Sequence, residues 1–192
     1  LSRATLLEPE QSQWWLDLAT VYKDCGKHNQ EVETLKAAVI AAPSSGEAQY
    51  AIAQNLRENG LAAEALPYLR QAVKLQPANL VFSLAYAQVL RELSYLADAR
   101  SELESKRKKW IANPELAHEY AVVAQQMDDW EAALPAYEMA AHTDKAPTKW
   151  RVQYAEALLK NQCESADDAK TLRLSQAYDI LERVCAENPD DP

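Results

Sequence analysis

Prolines recur in this chain at a fixed spacing of 34 residues, at Pro9, Pro43 and Pro77. The same register continues in a set of alanines, which are Ala65, Ala99 and Ala133. A period of this length constrains the fold strongly, because one such unit is too small to bury its apolar residues and must stack on its neighbours. The sequence therefore predicts an array of like units.

The units are predicted to be helical. The chain has 192 residues, 48% of them hydrophobic, which is typical of a folded globular protein. It contains only 3 glycines, and no segment alternates polar and apolar residues for long enough to indicate a β-strand. An all-α fold is therefore expected.

Each unit places a small residue in the middle of its first helix. The residues at this position are Ala19, Ala53, Ala87, Ala121 and Ala155. A large apolar residue precedes each alanine and another apolar residue follows it three positions later, so these helices carry an apolar stripe. We expect neighbouring helices to approach closely at the alanines.

Residues at the ends of the predicted helices support helix boundaries that follow the 34-residue period. The turn between the two helices of a unit favours left-handed backbone, which glycine adopts without strain. The residues at this position are Gly26, Gly60, Ser94 and Asp128. Ser44 with Glu47 predicts a capping box, and Asn113 with Pro114 predicts another helix start.

These features resemble the tetratricopeptide repeat family, whose unit is a helix-turn-helix of about 34 residues. The first unit matches the family positions at Trp15, Leu18, Ala19, Tyr22, Gly26, Leu35, Ala38 and Pro43. Glu31 departs from the family, because it replaces the usual alanine of the second helix. The resemblance implies a right-handed α-solenoid of about five repeats, whose first helices line a concave groove for peptides or partner helices.

The resemblance covers residues 1–192 as a single repeat domain, expected to be a segment of a longer array. The predicted sections are 1–11 as the end of a preceding repeat, repeats at 12–45, 46–79, 80–113 and 114–147, and a last repeat at 148–192. That last repeat has an insertion near 162–175. Pro67 and Pro135 fall a few residues into second helices, where they predict a bend or a delayed helix start.

The resemblance assigns three rows of residues to the groove. The first row is mostly apolar and consists of Leu16, Tyr50, Leu84, His118 and Val152. The second row consists of Thr20, Gln54, Gln88, Val122 and Glu156. The third row is cationic and consists of Lys23, Arg57 and Arg91, each followed by an acidic residue. We expect the first row to anchor apolar residues of a bound peptide or helix.

Two groups of cations allow more than one interpretation. The row of Lys23, Arg57 and Arg91 either receives an acidic partner or forms ion pairs between neighbouring repeats, and the ion pairs are favoured. The run from Lys106 to Trp110 either binds an anionic partner or is a solvated helix end paired with Glu102 and Glu104. The solvated helix end is the favoured interpretation.

The sequence offers no motif for catalysis or for a cofactor. It lacks a glycine-rich phosphate loop and a nucleophile elbow. Glu115 and His118 have the Glu-x-x-His spacing of some metal sites, but one such pair predicts a surface or groove histidine rather than a ligand. Cys25, Cys163 and Cys185 have no paired-ligand spacing, so neither a disulfide nor a zinc site is predicted. We expect no cofactor and no metal.

The net charge of −9 argues against nucleic acid as a partner, since an acidic surface repels phosphates. No apolar run approaches the roughly 20 residues of a membrane span, so no membrane insertion is expected. The sequence does not indicate a compartment. The expected partner is a protein or peptide, with self-association through uncapped terminal repeats as a further expectation.

The predicted function is therefore a non-catalytic scaffold that binds a peptide or partner helix in its groove. The alternative is a substrate- or partner-recognition arm of a larger enzyme or bacterial export machine, of the glycosyltransferase or polysaccharide-export type. A chaperone-tail adaptor is not expected, because Leu16, Thr20 and Ala51 stand where related repeats carry the lysine and asparagines of a carboxylate clamp.

Overall fold

The computed structural model describes residues 7–8, 11–109, 113–143, 146–161 and 167–187, with 167–170 described by backbone alone. All regular secondary structure in these residues is helical, so the predicted all-α class is confirmed. The chain divides into two compact units, Leu1–Tyr95 and Leu96–Pro192. The predicted organisation as one repeat domain stays a prediction.

The first unit is a run of helices that pack in chain order. Its helices are α1 Ser12–Asp24, α2 His28–Ala41, α3 Gly46–Glu58, α4 Ala62–Leu75 and α5 Leu80–Glu92. Each helix contacts the next, and α1 also contacts α3. This last contact places the first helices of two successive predicted repeats side by side, which is the arrangement that forms a groove wall.

The second unit follows the same pattern. Its helices are α6 Leu96–Ser105, a 3-10 turn at Arg107–Lys109, α7 Pro114–Gln126, α8 Trp130–Ala141, α9 Thr148–Lys160 and α10 Asp167–Glu187. Each α-helix again contacts the next. Helix α10 has 21 residues and includes residues 167–175 of the predicted insertion. The rest of the insertion, residues 162–166, lies outside the described residues.

The repeated alanines lie where the helices pack. All five of the first-helix alanines are buried, four of them completely, and the second-helix alanines Ala65, Ala99 and Ala133 are also completely buried. In the first unit Ala53, Ala65 and Leu69 form a core cluster with Ala85 and Val89. Small side chains at these positions let the helix backbones approach closely, as the sequence predicts.

The turns have the left-handed backbone that the sequence predicts. Gly26 and Gly60 have φ angles of 68° and 75°, and Ser94 and Asp128 have 65° and 60° at the equivalent positions of later repeats. A side chain at such a φ brings Cβ close to the backbone, which costs roughly 1–2 kcal/mol. The two later turns therefore carry strain that the glycine turns avoid.

The predicted capping box is wrong by one residue. Helix α3 begins at Gly46, and its N-cap is Ser45 rather than Ser44, because the Ser45 hydroxyl accepts a hydrogen bond from the Ala48 N–H at 3.2 Å. Asn113 does precede α7, with Pro114 in the first turn, but its side chain makes no capping hydrogen bond.

The two internal prolines do not delay their helices. Helices α4 and α8 begin at Ala62 and Trp130, well before Pro67 and Pro135, so the predicted delay is wrong. Each proline removes the hydrogen bond to the carbonyl four residues earlier. Ala63 and Glu131 carry those carbonyls on the exposed side of the helix, where water can donate a hydrogen bond in place of the missing N–H.

The basic run after α6 forms ion pairs with its own helix. Lys106 Nζ lies 3.7 Å from a Glu102 oxygen, and an Arg107 nitrogen lies 3.6 Å from a Glu104 oxygen. The exposed side chains of Arg107, Lys108 and Lys109 agree with the solvated helix end that the sequence favours, whereas Lys106 and Glu102 are only 16% and 17% exposed. Trp110, the last residue of the run, lies outside the described residues.

We predict that Gly60→Ala lowers the free energy of unfolding by about 1 kcal/mol, because alanine must adopt a positive φ there. An added Cβ meets no atom within 4 Å, so backbone strain is the only new cost. The reverse change, Ser94→Gly, is expected to stabilise by up to about 1 kcal/mol, reduced by the entropy that glycine adds to the unfolded chain. Urea denaturation followed by circular dichroism measures both, and equal stabilities would contradict the strain assignment.

Candidate functional site

A cavity of about 330 Å³ opens among α1, α2, α3 and α5 of the first unit. Its lining residues are Leu16, Ala19, Thr20, Lys23, Glu31, Leu35, Glu47, Tyr50, Ala51, Gln54, Asn55, Glu58 and Phe82. We call this the first-unit cavity. It brings together five residues of the predicted groove, namely Leu16, Thr20, Lys23, Tyr50 and Gln54. The cavity therefore lies on the face that the sequence assigns to partner binding.

An aromatic pair forms one wall of this cavity. The rings of Tyr50 and Phe82 stack with centroids 4.9 Å apart and planes 25° apart. Gln54 Nε2 donates a hydrogen bond to the Tyr50 hydroxyl at 2.8 Å, and burial raises the pKa of Tyr50. Gly46 makes room for the pair, since a Cβ there would lie 3.0 Å from the Phe82 ring. Tyr50 is thus held in place and uncharged at neutral pH.

A buried carboxylate lies in the floor of the cavity. Glu31 is only 4% exposed, and its Oε1 accepts a hydrogen bond from Asn55 Nδ2 at 2.9 Å. Its Oε2 lies 3.6 Å from His28 Nδ1, which is longer than a hydrogen bond. Asn55 is itself only 6% exposed, so this contact joins α2 to α3 inside the packed repeats.

A second carboxylate lies at the rim. Glu47 is exposed, and its two oxygens accept hydrogen bonds from Gln76 Nε2 at 2.6 Å and from the Ser45 hydroxyl at 3.2 Å. The Gln76 amide is the main cause that lowers the pKa of Glu47, with a backbone hydrogen bond adding to it. Glu47 is consequently a stable carboxylate at neutral pH.

The sequence did not single out Glu31, Glu47 or Phe82 as groove residues. Two of them carried a usable signal: Glu31 replaces an expected alanine, and Phe82 is the only phenylalanine of the chain. Phe82 also precedes the predicted groove residue Leu84 by two positions, so it lies on a different side of α5. Only the packing of α5 against α3 brings the Phe82 ring to Tyr50.

The cationic row forms ion pairs between neighbouring repeats. Lys23 Nζ donates to both carboxylate oxygens of Glu58, at 2.9 and 2.7 Å, and this hydrogen bonding raises the pKa of Lys23. Arg57 donates to Glu92 at 3.1 Å and to the Gln54 side chain at 3.2 Å. The favoured interpretation of the row is confirmed for these two cations.

The other predicted groove residues do not line the first-unit cavity. Leu84, Gln88 and Arg91 are half-buried along α5. In the second unit His118, Val122 and Val152 are half-buried, and Glu156 is exposed. The structure therefore brings five members of the predicted rows together at one cavity, which lies in the first unit.

The second unit nevertheless repeats the aromatic pair. His118 stacks on Trp150 with centroids 4.7 Å apart and planes 15° apart, and its Nε2 lies 2.8 Å from Gln153 Oε1. His118 and Trp150 occur two periods after Tyr50 and Phe82, so the same positions form both pairs. His118 is therefore half-buried and packed against Trp150, and its place in a partner-binding groove stays a prediction.

The described residues hold no group of three histidine, cysteine, aspartate or glutamate side chains placed to bind a metal ion. Within the same part of the chain, every helix is too short or too polar to span a bilayer.

Residues 49–183, which make up most of the chain, match the family described as tetratricopeptide repeat. This chain belongs to the tetratricopeptide repeat (TPR) family. The resemblance drawn from the sequence is therefore confirmed, and with it the assignment to the α-solenoid class. TPR proteins are protein–protein interaction scaffolds, and this general role applies to the chain. No curated protein sequence matches it significantly.

Several solved TPR structures have the same fold. A MamA segment from Desulfovibrio magneticus superposes with a TM-score of 0.75 at 15% identity, covering 94% of this chain and 97% of that one. YrrB, a TPR protein with an unusual peptide-binding site, gives 0.74 at 13% identity, covering 98% and 92%. A TPR protein from Parabacteroides merdae gives 0.74 at 15% identity, covering 94% and 68%. At these low sequence identities, the superpositions show a shared fold alone.

We predict that the exposed Lys23–Glu58 pair contributes less than about 1 kcal/mol to stability, because solvent screens both side chains. The side chains are 49% and 56% exposed, whereas Arg57 and Glu92 are 20% and 40% exposed. A double-mutant cycle with Lys23→Gln and Glu58→Gln should therefore give a smaller coupling energy than one with Arg57→Gln and Glu92→Gln. Added salt should weaken the Lys23 coupling more. The opposite order would contradict the screening argument.

Proposed function

We propose that this TPR segment binds a partner protein through the first-unit cavity, which receives an extended peptide or one face of a helix. The observation that carries the proposal is that five predicted groove residues line one cavity of about 330 Å³ with a fixed aromatic wall. A cavity of this size accommodates one large side chain of a partner and leaves the rest of the peptide along the groove.

The polar and apolar groups of the cavity support binding rather than catalysis. The hydrogen-bond donors at its edge are already engaged, since Lys23 is paired with Glu58 and Gln54 with Tyr50. Engaged side chains hold the walls in one conformation, which reduces the entropy lost when a partner binds. We propose that the segment has no catalytic role.

The fold comparison adds support of a general kind. YrrB, which shares the fold, is described as having an unusual peptide-binding site. The alternative role, as the recognition arm of a larger enzyme or export machine, stays a prediction and would use the same kind of groove.

We predict that Tyr50→Ala combined with Leu84→Ala abolishes partner capture, because both changes remove apolar surface from the predicted anchor row. Tyr50 lines the cavity, and Leu84 extends the row along α5. The measurement is quantitative pull-down with the full-length protein, followed by mass spectrometry, with folding checked by circular dichroism.

The matched control is Tyr95→Ala combined with Ile40→Ala. These residues are 53% and 81% exposed and lie outside the cavity, so the control removes similar apolar groups from other surfaces. Capture that survives the groove variant, or that fails equally in the control, would contradict the assignment of the groove.

A further inference from the structure

The first-unit cavity combines apolar walls with an excess of negative charge. Leu16, Leu35 and the Tyr50–Phe82 pair supply apolar surface, while Glu31, Glu47 and Glu58 supply three carboxylates. Lys23 is the one cationic lining residue among those described, and its Nζ is bound to both oxygens of Glu58. The cavity lining therefore carries three carboxylates against one cation, and that cation is hydrogen-bonded to Glu58 rather than to Glu31 or Glu47.

The burial of Glu31 makes its negative charge selective for a cationic ligand. A carboxylate that is 4% exposed has lost most of its contact with water, and one neutral amide from Asn55 compensates only part of that loss. Its other oxygen, Oε2, lies 3.6 Å from Nδ1 of the exposed His28 imidazole, which forms an ion pair with it only when protonated. A cation that enters the cavity gains both an electrostatic interaction and a hydrogen-bond acceptor there.

We propose that the first-unit cavity receives an arginine or lysine side chain of the partner. The aliphatic part of such a side chain suits the apolar walls, and its charged end suits Glu31 in the floor and Glu47 at the rim. The half-buried Tyr50 ring, backed by the buried Phe82 ring, offers a cation a favourable face, and a planar guanidinium stacks on it better than an ammonium does. This inference rests on the proposed function and specifies its ligand chemistry.

The net charge of the chain also favours a cationic ligand. The chain carries −9, so a basic segment is attracted to it over a distance while an acidic segment is repelled. An acidic peptide would also place its carboxylate beside Glu31 and Glu47 with only the already paired Lys23 to oppose the repulsion. The cavity therefore discriminates by charge as well as by shape.

The test uses synthetic peptides of one sequence, made of leucine and alanine around a single variable position. That position is arginine, citrulline, lysine, norleucine or glutamate, so that each cation has an uncharged side chain of similar shape. We expect the arginine and lysine peptides to bind the intact protein about tenfold more tightly than citrulline and norleucine, and the glutamate peptide to bind most weakly. Calorimetry gives the affinities, and shifts of the Gln54 and Asn55 side-chain amide signals in NMR spectra place the peptide in the cavity.

Glu31→Gln should reduce the arginine-over-citrulline preference to less than about twofold, because it removes the charge and keeps an oxygen for Asn55. The matched control is Glu33→Gln on the same helix, whose carboxylate is exposed and paired with Lys36 at 3.1 Å. It changes the net charge equally and should leave the preference unchanged. Should Glu31→Gln lose the fold, Glu47→Gln at the exposed rim provides the same comparison.

The outcomes separate this inference from the proposed function. Equal affinity for arginine, citrulline and norleucine, or tightest binding of glutamate, would overturn the cationic ligand and leave groove binding intact. Loss of the preference in Glu33→Gln as well would assign it to net charge and overturn the role of Glu31. Failure of every peptide to shift the Gln54 and Asn55 signals would overturn both proposals.

Discussion

Close approach of neighbouring helices at buried alanines is the constraint on which the rest of this structure depends. Ala53 and Ala65 are completely buried where α3 and α4 meet, and they share a cluster with Leu69, Ala85 and Val89. Protein interiors are close-packed, so a larger side chain at such a position forces the helices apart or strains its neighbours. The period of the alanines is therefore also the period at which helices stack.

This packing decides which side of each first helix remains available to a partner. The face of α3 that carries Ile52 and Ala53 is buried in the core, whereas Tyr50 and Gln54 of the same helix line the first-unit cavity. Polar contacts between repeats then complete the wall. The ion pair from Lys23 to Glu58 and the buried contact between Asn55 and Glu31 both join one repeat to the next.

The candidate site was only partly predictable from the sequence. Leu16, Thr20, Lys23, Tyr50 and Gln54 all lie on first helices, so a repeating register was sufficient to place them on one face. Glu31 lies on a second helix, α2, and Phe82 lies on the first helix α5 but on a different side from the predicted rows, so both side chains enter the cavity because of how those helices pack. The 34-residue period predicts which face of a helix a residue lies on. It does not predict which neighbouring helix forms the rest of the cavity wall. The capping residue of α3 was misplaced for a related reason, since Ser44 and Ser45 have the same side chain and the backbone alone decides that Ser45 caps the helix.

The sequence by itself determined the helical class, the TPR family, the left-handed turns and the residues that face the core. These follow from local backbone preference and from apolar spacing, both of which repeat every 34 residues. Only the tertiary structure decided that the first unit forms this open cavity, that Tyr50 stacks on Phe82, and that the carboxylate of Glu31 lies in the floor. Those features come from contacts between residues 24 to 32 positions apart in the chain, whose distances are set by helix packing rather than by any local pattern.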